Sequence, residues 1–148
     1  MRSLMFCLAF IAAACGAPPS QDSPAPAAIA VTEAWGPPSP GGVDVSAGYL
    51  TIANAGAEAD TLLSITSPRA GRVEIHTMAM DGAVMQMRML DALPIPAGGQ
   101  TDFAQSGDHL MFFDVREPFV AGEEIPLRLT FERAGEVDAQ LRIRTGGH

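Results

Sequence analysis

The chain has 148 residues and a formal net charge of -8, and all nine of its basic side chains are arginine. That length sets a single domain, large enough to bury a core without disulfide or metal staples. An acidic balance with no basic stripe and no run of arginines excludes nucleic acid as a partner.

The chain opens with Arg2 and an apolar run from Leu4 to Ala14, shorter than the roughly 20 residues a membrane-spanning helix needs. The run ends in Ala12-Ala13-Ala14-Cys15-Gly16, the form of a secretory signal with a small-residue cleavage site. Small residues directly before a cysteine resemble the lipobox of bacterial lipoproteins. That resemblance implies a signal peptide over residues 1–14, cleavage before Cys15 and lipidation of its thiol. Cys7 lies inside the signal, so Cys15 is the one cysteine of the mature chain. A body without cysteine has no disulfide framework and no C-x-x-C pair. Thiol–disulfide exchange is thereby excluded, and the composition suits an oxidising compartment. Residues 15–28 are rich in Pro, Ala and small polar residues and read as a semi-extended tether carrying the lipidated cysteine. Residues 29–148 form the folded domain.

From Ile29 onward the sequence reads as strands punctuated by turns. Ile29–Trp35 is the first, with Trp35 expected in the core. Gly36 to Gly42 is a Pro- and Gly-rich loop. Ser46–Asn54, Thr61–Ser67, Arg72–Met78, Ala83–Met89, His109–Val115, Glu124–Phe131 and Val137–Arg144 follow. Asp81-Gly82 between two of these runs is a hairpin signal, and Pro94, Pro96 and Gly98-Gly99 break the middle of the chain. Short strands with frequent turns and no long 3.6-residue apolar period predict an all-β sandwich or barrel.

The chemical anomaly is methionine. Of eight methionines, six fall after residue 77: Met78, Met80, Met85, Met87, Met89 and Met111. Methionine is ordinarily a sparse filler of cores and an unusual choice for strands, where β-branched and aromatic residues fit better. Side chains two apart on a strand share a face. Glu74, His76, Met78 and Met80 therefore share one, Met85, Met87 and Met89 another, and His109 and Met111 a third. If 72–78 and 83–89 pair as a hairpin, the first two faces lie side by side, in a register that the sequence leaves open. A single such methionine is ordinarily packing, and a single histidine ordinarily a surface or hydrogen-bonded residue. The joint pattern, with two of three histidines set among methionines and one of them as His-x-Met, points to a metal site. His148, the last residue, is expected to be frayed. Thioether sulfur is soft and uncharged, and imidazole is borderline, so two His with two Met match copper(I) best. Zinc prefers thiolate, imidazole and carboxylate.

His76, then ten residues, Met87, then twenty-one residues, then His109-Leu110-Met111 resembles the motif of the periplasmic copper(I) chaperone family known as PCuAC. The surrounding Val73-Glu-Ile-His76, Gly82-Ala-Val-Met-Gln-Met-Arg88, His109-Leu-Met-Phe-Phe-Asp114, Glu33-Ala-Trp35 and Tyr49-Leu-Thr-Ile-Ala-Asn54 are similar too. The resemblance spans about residues 30–145. It implies a cupredoxin-like Greek-key β-sandwich in one domain, holding one copper(I) ion on His76, Met87, His109 and Met111. It further implies delivery of that ion to the copper A centre in subunit II of cytochrome c oxidase, beside Sco-type proteins. Some relatives carry a His- and Met-rich tail that takes copper(II). This chain closes on Thr145-Gly-Gly-His148, so a single ion is expected.

The expectation is a monomeric metallochaperone rather than an enzyme. A blue-copper site needs a cysteine ligand, and no Gly-x-Ser-x-Gly or His-Glu-x-x-His motif is present. Copper buffering and tolerance, or a structural lipoprotein module without metal, are the alternatives. Localisation is expected to be periplasmic and lipid-anchored through Cys15, with Gly16 after the cysteine favouring the outer membrane in a Gram-negative host.

Overall fold

The computed structural model describes residues 28–146. The signal, Cys15, almost all of the tether and His148 lie outside the described residues. Ten strands and no helix occur among them: β1 (Ile29–Gly36), β2 (Val45–Asn54), β3 (Asp60–Thr66), β4 (Arg72–Asp81), β5 (Val84–Leu90), β6 (Leu93–Ile95), β7 (Gln100–Asp102), β8 (His109–Phe113), β9 (Glu124–Phe131) and β10 (Gly135–Ile143). The expected strands are all present. β4 runs three residues further than expected, and β6 and β7 form in the stretch read as broken. β6 is a three-residue strand paired to β3, with Pro94 opposite Thr61. A proline is tolerated in so short a strand at the end of a sheet.

The strands pair in the order β5-β4-β8-β2-β1-β10-β9-β3-β6, with β7 on the edge of β2 beyond β8. A bridge between Ile65 of β3 and Val73 of β4 links the two ends of this path. The result is a β-sandwich: β5-β4-β8-β2-β1 is one layer and β10-β9-β3-β6 the other, joined by the short parallel contact of Trp35-Gly36 with Arg142-Ile143. Most neighbours are distant in sequence, so the layers are tied by long crossings of the Greek-key kind rather than by successive hairpins.

Alternation decides which side faces in. Along β2 every second residue is buried, from Ser46 to Asn54. β9 contributes Ile125, Leu127, Leu129 and Phe131, β10 Leu141 and Ile143, and β8 Leu110 and Phe112. Gly48 faces this core because a methyl there would stand 2.9 Å from the Phe112 ring. Phe112 then packs edge-on against Phe119 at 5.4 Å. Trp35 corrects the expectation: it is partly exposed and sits outside the core, stacked on Tyr49 at 4.7 Å with the Arg144 guanidinium over its ring. Its face is the outer one, shared through register with Tyr49.

The β9–β10 turn is fastened by one buried carboxylate. Asp60 accepts hydrogen bonds from the backbone N–H groups of Thr61, Arg133 and Ala134 at 2.7–2.9 Å. Burial pushes its carboxyl up, but the three N–H donors outweigh it and hold Asp60 below the ordinary aspartate range. A depressed pKa contributes stability that is present above the unfolded-state value and lost as pH falls through the folded one. Asp60→Asn is expected to cost about 1.5–3 kcal/mol at neutral pH, the worth of hydrogen bonds to a charged group. Denaturant melts should show that difference shrinking below pH ~4, the ordinary aspartate value, where the unsubstituted protein loses the same charge.

Candidate metal centre

The centre is built on β4 and its two neighbours. On one side β4 pairs with β8, with Glu74 opposite Met111 and His76 opposite His109. On the other it pairs with β5, with His76 opposite Met89, Met78 opposite Met87 and Met80 opposite Met85. Directly opposed residues of an antiparallel pair share a face. All nine of these side chains therefore project from one face of three adjacent strands, and all four expected ligands are among them. The reverse face carries Val73, Ile75, Leu110 and Phe112 into the core, which locks the register, because a slip by one residue would turn these apolar side chains outward.

The hairpin turn is Gly82-Ala83, with Asp81 opposite Val84 and Gly82 at φ 64°. Glycine in the first central position is what a two-residue turn of this twist requires. The turn thus sets the pairing of β4 with β5, and the core sets the pairing of β4 with β8.

The two histidines face each other with ring centroids 6.0 Å apart. His109 is 5% exposed and the His76 side chain 14%. Each ring is held at one nitrogen by a group that only accepts. His109 Nδ1 donates to the Gly107 carbonyl at 3.0 Å, which leaves its lone pair on Nε2. His76 Nε2 donates to Glu74 Oε2 at 2.8 Å, which leaves its lone pair on Nδ1. That Nδ1 is buried and has no hydrogen-bond partner. An unpartnered buried acceptor is costly, and here it belongs to a metal-ligating residue type whose other nitrogen is tied to a carboxylate, the usual arrangement behind a ligating imidazole.

The sequence places Glu74 on this face and assigns it no role. Its other oxygen accepts from Arg72 Nε at 2.8 Å, and the hydrogen bond from His76, followed by that from Arg72, holds its carboxyl below the ordinary glutamate range. A Glu-x-His pair on a strand, two residues apart and so on one face, is the sequence signal that could have assigned it. Met111 stands opposite Glu74 and diagonal to His76, and Met87 is diagonal to His76 on the other side. Such diagonal positions lie about 7–8 Å apart, within reach of long side chains. Met89 is the methionine directly across from His76, a position that spacing alone did not single out. Among the described residues, no three His, Cys, Asp or Glu side chains stand together as a metal-holding group. The softness of the centre therefore rests on its thioethers, a donor set that fits copper(I) and does not fit zinc or magnesium.

These features define a small β-sandwich of the PCuAC type. The copper-bound PCuAC domain from PmoF2 superposes with a TM-score of 0.69 over 80% of this chain and 94% of that one, at 22% identity. The copper(I) form of DR1885 from Deinococcus radiodurans gives 0.60 over 77% and 78%, at 23% identity. The chain belongs to the family described as "Putative lipoprotein LpqE-like", which matches residues 29–143. An uncharacterised protein of Rickettsia prowazekii is 30% identical over 113 residues, 74% of this chain. "Putative lipoprotein Lxx21020" of Leifsonia xyli is 27% identical over 104 residues, 70% of this chain. The match spans 62% and 61% of the length of those two relatives.

The hydrogen bonds fix opposite tautomers for the two rings. Well above the ordinary imidazole pKa of about 6.5, long-range proton–nitrogen NMR on the metal-free protein should find His76 protonated at Nε2 and His109 at Nδ1. Glu74→Ala should mix the tautomers of His76 and leave His109 unchanged. A mixed His76 ring in the unsubstituted protein would remove the assigned role of Glu74.

Proposed function

We propose that the protein is a copper(I) metallochaperone, in which His76, Met87, His109 and Met111 hold a single ion as cargo. The observation that carries this reading is the facing pair His76 and His109, each with its lone pair turned away from the hydrogen bond that fixes it and each flanked by thioethers. Two imidazoles and two thioethers give a neutral donor set for copper(I), with the ionised Glu74 behind His76 to offset part of the positive charge. Without a thiolate the hold is reversible, as a carrier requires. The likeness to copper-bound PCuAC domains supports the same reading.

By resemblance to the PCuAC family, the acceptor in this reading is the copper A centre in subunit II of cytochrome c oxidase, with a Sco-type protein acting in the same pathway. The protein would work as a monomer and catalyse no reaction. In this reading it is a lipoprotein, held at the periplasmic side of a membrane through Cys15, with the outer membrane favoured in a Gram-negative host. The lipoprotein names borne by its family and by its Leifsonia relative support the anchor.

Two experiments test these claims. In anaerobic competition with a coloured copper(I) chelator, the purified protein should take one tightly bound equivalent. His109→Ala should abolish that binding and Met87→Ala weaken it strongly, whereas Leu63→Ala, on an exposed side chain of β3, should leave it intact. Equal effects from all three would remove the ligand assignment. In cell fractionation, Cys15→Ser should move the protein from membranes to the soluble fraction, and unchanged membrane association would overturn the lipid anchor.

A further inference from the structure

The pairing of β4 with β8 stops at His76 and His109, whereas its pairing with β5 continues for five more residues to Asp81 and Val84. Beyond the histidines, β4 and β5 therefore form a two-stranded ribbon that overhangs the sandwich. One face of that ribbon is a ladder of thioethers: Met80 with Met85 next to the turn, Met78 with Met87 below, and Met89 with His76 at the root. Met80 is 63% exposed, Met85 55%, Met87 50% and Met89 55%, so these side chains do not fill a core.

Solvated strand positions suit β-branched and polar residues better than methionine. An exposed thioether is also open to oxidation to the sulfoxide. Five methionines on one ribbon face are thus a poor choice for folding or for durability, and packing explains none of the four most exposed. What they share is soft sulfur at regular intervals. Opposed side chains are about 5 Å apart at Cβ, successive rungs about 6.5–7 Å apart along the strand, and each methionine turns about three bonds. Two or three sulfurs of adjacent rungs can therefore converge on one ion.

We propose that Met78, Met80 and Met85 form a second, weaker copper(I) site at the end of the ribbon, which takes up the ion and hands it along the ladder to the paired histidines. The proposal rests on the copper(I) reading of the His76–His109 centre. Each hand-on is a ligand exchange: one thioether leaves as the next binds, the ion stays copper(I), and no proton or electron moves, because a thioether carries no proton to release. The affinities rise in the useful direction, from sulfur alone at the tip to sulfur with imidazole at the root.

The test is an anaerobic titration and a stopped-flow uptake measurement on the purified protein, with a copper(I)–chelator complex as donor. The unsubstituted protein should bind a tight equivalent and a weaker one. Met80→Leu/Met85→Leu, which keeps apolar bulk at two solvated positions, should lose the weaker equivalent, keep the tight one at full affinity and load more slowly. His76→Ala/His109→Ala should do the reverse and keep the weaker equivalent alone. A single equivalent in the unsubstituted protein, or a weaker one that survives Met80→Leu/Met85→Leu, would overturn the second site. Unchanged loading in that variant would overturn its role in uptake. Failure of the copper(I) reading itself looks different: no tight equivalent would appear in any form.

Discussion

The structure depends on the register of β4 between β8 and β5. On its inner face Ile75 lies opposite Leu110 and Leu90, and Val73 opposite Phe112, all in or against the core. Because successive side chains alternate, fixing those pairs also fixes the outer ones, so His76 must meet His109 and stand beside the methionines of β5. Hydrophobic burial on one side of the sheet thereby positions a polar, metal-competent set on the other. The core thereby carries the cost of assembling the outer set, including the unpartnered Nδ1 of His76.

The electrostatics of the centre are set at one remove from the donor atoms. Both histidines face acceptors, a carbonyl for His109 and a carboxylate for His76. Only the second is charged, so the two imidazoles are not equivalent. A ring that donates to a carboxylate is the more basic ligand and the better partner for a cation. Arg72 shares Glu74 and tempers that effect, since part of the carboxylate's charge is already matched before any ion arrives. In the copper(I) reading proposed above, this places the centre between the weak hold of neutral donors and the strong hold of a full anionic ligand, the range a carrier needs to keep and release its ion.

Much of this could be read in the sequence because it follows from a period of two. The face shared by Glu74, His76, Met78 and Met80, the face of Met85, Met87 and Met89, and the hairpin at Asp81-Gly82 all follow from alternation and turn chemistry. Register does not, because it is set by contacts between strands far apart in the chain. The sequence therefore could not say that Met89 rather than Met87 lies across from His76, or that Glu74 reaches the ring two residues on. Trp35 misled for a related reason. A lone tryptophan is ordinarily buried, but β1 pairs with β2 through an irregularity between Thr32 and Trp35, which places Trp35 on the outer face against Tyr49. The strands β6 and β7 were hidden by Pro94 and Gly99, which mark breaks in isolation: Pro94 is accommodated within a strand only three residues long, and Gly99 lies just before another.

The end of β8 at the level of the histidines has a consequence for how the centre meets other molecules. Had β8 begun earlier in the chain, it would have covered the outer edge of β4 and left the methionines as one side of a broad sheet. Because it starts only at His109, the centre sits where the layer narrows to the two-stranded β4–β5 ribbon, with largely buried imidazoles at the root and solvated thioethers beyond. A two-stranded ribbon contributes little to stability by itself, and the outward position of β5 exposes nearly all its side chains. Beyond the histidines the ribbon is therefore the part of this face least tied to the core. In the copper(I) reading proposed above, paired histidines at the root of a solvated arm of soft donors suit ligand exchange, because the ion can gain a new sulfur before it gives up an old one.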